Sequence, residues 1–157
     1  MAAKRKLPIS RDHIRLAINQ YHHKNSSYDD KLWLAQFVCG FDALLRVAEF
    51  TMPDNEKVRN WKKYTRRASV RWLDNNSSFS FLLPGHKADT TFEGNKIIIN
   101  SATAVNVFRA YLAARDKTFP IHLALWVRCN GRVPTRDWFV KKLRLLIPDK
   151  DYAGQSL

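Results

Sequence analysis

Residues 69–83 read "SVRWLDNNSSFSFLL". In the second half, Phe79, Phe81 and Leu83 alternate with Ser78, Ser80 and Leu82. A period of two puts one apolar face and one mostly polar face on a strand. "SVRWL" before it is a second β-type run, and "DNN" between them has the chemistry of a tight turn. A third run, "KIII" at 96–99, is reached through the polar excursion "PGHKADTTFEGN" at 84–95. The stretch therefore predicts a small three-stranded antiparallel sheet with an exposed tip at 85–95.

Outward from that sheet the pattern is helical on both sides. Ser10 is positioned to cap a first helix reaching about Lys24, with Ile14, Ala17, Ile18 and Tyr21 as one apolar stripe. "NSSYDD" breaks it, and a second helix is expected from about Tyr28 to Phe50, stopping before Pro53. After the sheet, "SATAVNVFRAYLAARD" predicts a helix capped by Ser101 or Thr103, with Val105, Phe108 and Leu112 inward. "FPIHLALWV" is an apolar connection and "CNGR" a turn. Thr135 is expected to cap a last helix over "RDWFVKKLRLLI", with Trp138, Phe139, Leu143, Leu146 and Ile147 inward and Pro148 as its stop. Helices, small sheet, helices is an α+β order, mostly helical. The 157 residues suit one domain over 10–157, after a basic lead-in at 1–9.

Charge speaks to partners. Twenty-seven Lys and Arg against fourteen Asp and Glu give a net charge of +13. Such an excess favours a polyanion, nucleic acid before membrane. No lipidation signal, basic amphipathic helix, signal peptide or spanning run is evident, because Gln36, Asp42, Arg46 and Glu49 interrupt the longest apolar stretch. Cys39 and Cys129 lack metal-ligand spacing and read as free thiols of a reducing compartment. His22 and His23 are adjacent and cannot share a helix face as ligands, so neither a metal nor another cofactor is expected.

Three groups of residues carry candidate chemistry. "KVRNWKKYTRRASVR" at 57–71 holds seven cations, including Lys62, Lys63, Arg66, Arg67 and Arg71. Phosphate binding wants that density, since each neutralised phosphate releases counterions. Trp61 and Tyr64, interleaved there, could stack on bases but are read first as core or strand anchors. "LLRVAEFTMP" at 44–53 places Arg46 and Glu49 three apart, on one face of the expected helix that should otherwise be core, where a buried charge is kept only if paired or used. Arg46 is either a structural partner of Asp42 or Glu49, or a guanidinium held by a carboxylate and aimed at a phosphate, for which its planar fork is suited. Lys87 and His86 lie in the polar excursion; a loop lysine is ordinarily solvated and matters only if it reaches the same phosphate.

The ordered set resembles the catalytic domain of tyrosine recombinases, the phage-integrase-like DNA breaking–rejoining enzymes. It comprises the R-x-x-E of "LLRVAEF", the sheet with a lysine in "LPGHKADTTFEG", "KIII", then "VNVFRAYLAARD", "NGRVPTRDWFVKKLR" and "GQSL". The similarity is nearest to integrase-like proteins of fungal genomes and mobile elements. It implies a role in DNA recombination and integration and, in a eukaryote, a nuclear location, otherwise a cytoplasmic one. It implies Arg46 as a phosphate-binding arginine, Glu49 as its supporting acid and Lys87 as the acid that protonates the leaving oxygen. Two cations on rigid elements stabilise a pentavalent phosphorane, and a poised lysine serves as general acid. Gln155 falls where the family carries a histidine. The chain ends at Leu157, one residue before the family's second arginine, and none of Tyr21, Tyr28, Tyr64, Tyr111 or Tyr152 occupies the nucleophile's position. The expectation is a truncated domain that lacks the core-binding domain, binds double-stranded DNA, with a homo-oligomer on DNA as one option, and does not cleave by itself. It also implies apolar surface left uncovered on the second and last helices. Two rivals stand beside it: a non-enzymatic module that binds nucleic acid, RNA included, and an inert fragment whose charge only solubilises it.

Overall fold

A computed structural model of the chain describes residues 7–84 and 95–149. Among these the elements run α1 (Arg11–Tyr21), α2 (Tyr28–Asp42), β1 (Arg71–Leu73), β2 (Ser78–Leu82), β3 (Lys96–Ile99), α3 (Ala102–Thr118) and α4 (Arg136–Leu146), an α+β order. The sheet is antiparallel throughout, in the order β1-β2-β3. Its register pairs Trp72 with Phe79 and Phe79 with Ile99, so the larger side chains share one face. Asp74, Asn75 and Asn76 all take positive φ in the β1–β2 turn, which Asn and Asp tolerate better than other residues.

That face packs on α3. The Phe79 and Phe108 rings lie parallel, 3.9 Å between centroids, and Phe81 meets Trp126 edge-on. The other side of α3 packs on α2, which is buried continuously from 32 to 40. A helix apolar all round belongs in the middle of a domain, and α2 is covered by α1, α3 and the start of α4. The Trp33 Nε1–H donates to the Phe139 carbonyl at 3.1 Å. Cys39 is sealed in this helix, 1% exposed, and burial pushes its thiol far up from the usual value. Of the stretch 32–50, where bare apolar surface is expected, 32–40 is buried, while Leu44, beyond the end of α2, is 79% exposed. On α4 the exposed apolar side chain is Leu145, while Phe139, Leu143 and Ile147 are buried and Trp138 and Leu146 half-buried.

Two helix ends differ from the sequence expectation. α1 stops at Tyr21 rather than near Lys24, because His22 to Asn25 offer no apolar side chain and the Ser26 hydroxyl donates to the Tyr21 carbonyl instead. More consequentially, α2 ends at Asp42 and does not reach Phe50. Leu44 takes φ 56°. Its N–H donates to the Phe41 carbonyl, and the Leu45 N–H to the Gly40 carbonyl. These are the two bonds of a Schellman motif, with Leu44 in the left-handed position usually given to glycine.

Candidate nucleic-acid interface

Residues 56–71 form three single 3-10 turns, Glu56–Val58, Trp61–Lys63 and Arg67–Ser69, before entering β1. Asn55 and Asn60 start the first two, their side-chain oxygens accepting the N–H groups of Lys57 and Lys62 at 3.0 Å. The segment is strapped to the apolar connection before α4. Arg67 N–H donates to the Leu123 carbonyl and Leu125 N–H to the Thr65 carbonyl, each at 2.9 Å. Thr65 and Val70 face inward, while Lys57, Lys62, Lys63, Arg66 and Arg71 are exposed.

The seven cations then divide. Lys57, Lys62, Lys63 and Arg66 have no acidic partner among the described residues, and Arg66 lies 5.8 Å over the Tyr64 ring. Arg59 donates to the Pro53 and Asp54 carbonyls and sits 3.7 Å from Glu56. Arg71 donates to the Ala68 and Val70 carbonyls. Arg67 is held in a two-pronged pair with Asp116, at 3.0 and 2.8 Å. That hydrogen bond raises the Arg67 pKa and lowers that of Asp116. Asp116 also accepts from Arg115, whose fully buried guanidinium donates to the carbonyls of Phe119, His122 and Ala124. Arg67 thus anchors the segment, and Arg115 organises the connection to which it is tied.

Arg46 and Glu49 are corrected in conformation. They do not share a helix face: Arg46 is in extended backbone, φ −85° and ψ 148°, and precedes the 3-10 turn Val47–Glu49. Nor is Arg46 buried; its side chain is exposed and makes no ion pair with Asp42, Glu49 or any other described acid. Glu49 accepts the Arg46 backbone N–H at 2.8 Å, so it fixes the turn rather than the guanidinium. Glu49 also lines a narrow cleft whose opposite wall is Lys63, Tyr64 and Thr65 of the basic segment. The cleft brings Glu49, at the end of the Val47–Glu49 turn, and the basic run together. Thr65 Oγ1 and Trp126 Nε1, on two residues lining it, are buried without a hydrogen-bond partner among the described residues. Buried polar atoms in that condition are few and call for a partner.

The chain matches no protein-family model and no curated protein.

Lys62, Lys63, Arg66 and Arg71 are brought to one surface segment, and Lys63 shares a cleft with Glu49, while Arg46 is exposed ahead of the Val47–Glu49 turn and does not line that cleft. Lys87, His86 and Gln155, together with the expected hairpin tip, lie outside the described residues. Of the tyrosines, Tyr28 and Tyr111 are structural. Burial pushes the Tyr28 phenol up to about 12 and Tyr111 well above its usual value, and the Tyr111 hydroxyl donates to the Leu125 carbonyl while accepting the Val127 N–H. The sequence reading passed over Arg115, which the fold buries completely. Of the two options it gave for Trp61, base stacking or an anchor in the core or a strand, the first-placed anchor does not fit a side chain that is 60% exposed.

Proposed function

We propose that the chain binds duplex DNA through its phosphates, with Lys57, Lys62, Lys63, Arg66 and Arg46 as the contacting cations. The observation that carries this reading is that these side chains are exposed and have no acidic partner among the described residues, the four from Lys57 to Arg66 lying on a segment pinned to the core. The rigid backing matters, since cations already held in place lose less freedom on binding. Within this reading the domain is tyrosine-recombinase-like, and the exposed Arg46 grips a phosphate. The order of R-x-x-E, antiparallel sheet and following helices supports that assignment, and it carries with it a role in DNA recombination and a location in the nucleus in a eukaryote, otherwise in the cytoplasm.

The test is the salt dependence of binding to a labelled duplex. With about five phosphates neutralised, log K should fall with log salt at a slope near −4 to −5. A flat response would overturn the proposal. Arg46→Ala separates the finer reading from the coarser one. Loss of about one unit of slope keeps Arg46 at a phosphate, whereas an unchanged slope leaves the basic segment alone as the interface.

A further inference from the structure

Trp61 holds an unusual position for the largest apolar side chain. It opens the 3-10 turn Trp61–Lys63 and is 60% exposed, away from the core that buries Trp33 and Trp126. It is not loose on the surface. Tyr64 meets it edge-to-face, 6.0 Å between ring centroids and 78° between planes, and Arg66 lies over Tyr64 in turn. Asn60 fixes the turn from below through the Lys62 N–H. Lys62 and Lys63 follow directly, both exposed, and the nearest acid in sequence, Glu56, faces Arg59.

An apolar protein surface docking here would meet several uncompensated cations. A nucleotide would bring its own phosphate to them and a planar base to the indole. We propose that Trp61 is a stacking platform for an unpaired base, and that the basic segment prefers DNA carrying unpaired nucleotides over uninterrupted duplex. In a B-form duplex the bases show only their edges, in the grooves. An aromatic ring reaches a base face only where a strand is single, bulged or flipped out. The inference rests on the nucleic-acid reading above and adds the substrate class.

The experiment compares wild type, Trp61→Ala and Trp61→Phe by fluorescence anisotropy on four labelled probes. These are a plain duplex, the same duplex with a short unpaired bulge, a thymidine single strand, and that strand with abasic sites. Circular dichroism confirms that the variants keep the fold, as an exposed side chain predicts. Wild type should bind the bulged duplex about tenfold more tightly than the plain one, the scale of one stacked base. Trp61→Ala should lose about tenfold on the bulge and the thymidine strand, yet no more than about twofold on plain duplex, with Trp61→Phe in between. On the abasic strand the wild type and Trp61→Ala should be equal. An equal loss on plain and bulged duplex, or no loss on any probe, overturns the stacking role while salt-dependent duplex binding by wild type keeps the phosphate reading. Failure of wild type to bind any probe at low salt overturns both.

Discussion

Leu44 carries a backbone conformation that its side chain opposes. At φ 56° a Cβ crowds the following carbonyl at a cost of about 1–2 kcal/mol, and the side chain, 79% exposed, recovers little by burial. Leu44→Gly should therefore raise the unfolding free energy, by up to about 1.5 kcal/mol once the entropy of an unfolded glycine, about 0.5–1 kcal/mol, is deducted. Thermal melts check it, and a loss would mean that the leucine packs usefully. At Arg115 the balance is reversed. Arg115→Met would strand the Phe119, His122 and Ala124 carbonyls and cost about 3–5 kcal/mol, the usual scale for removing one partner of a buried ionic network. Asp116 gives this network its pH dependence. Its folded pKa lies below the unfolded value, chiefly through the hydrogen bond from Arg67. The contribution is thus complete above the unfolded pKa of about 4 and is lost as pH falls through the folded one. Urea melts across that acid range should show a decline that Asp116→Asn flattens. Neither residue was legible in the sequence, because a left-handed leucine and a buried arginine look like an ordinary apolar residue and an ordinary surface cation.

Elements were legible wherever local chemistry and tertiary packing agree. The period-two run at 78–83 and the "DNN" turn gave β2 and its hairpin because the same residues that prefer extended backbone also bury Phe79 and Phe81. The caps of α3 and α4 were readable for a similar reason. Ser101 accepts the Ala104 N–H and Thr135 the Trp138 N–H. Thr135 also pairs with Met52, through Met52 N–H to the Pro134 carbonyl and Arg136 N–H to the Met52 carbonyl. Thr135→Ala should cost about 1 kcal/mol, measured by urea unfolding, by removing the cap while leaving that backbone pairing intact. What stayed hidden was the end of α2. The apolar run continues past Asp42 without a glycine or proline, so periodicity carried the helix on to Phe50, whereas a Schellman motif stops it. That single difference moves Arg46 from a buried helix face to an exposed turn.

On the scale of the whole molecule, a net charge of +13 argued correctly that the surface is basic but could not say which cations are committed. Only the fold separates Arg67, tied to Asp116, from Lys62, Lys63 and Arg66, which have no acid beside them. Neutralising those three together should reduce the salt slope by about 2.5–3, since each phosphate contact carries about 0.9. Adding Arg67→Gln should lower the melting temperature without reducing the slope further. Duplex titrations at several salt concentrations, with melts alongside, distinguish the two effects.

The burial of Cys39 has one more consequence. Cys129 is on the surface, its thiol donating to Asp29 at 3.4 Å and its pKa raised mainly by that bond. A thiol-specific reagent should accordingly add once to the native molecule, faster as pH rises. The second adduct must wait for α2 to leave its neighbours, so by intact mass the delay between the first and second label is an internal clock for the opening of the entire core.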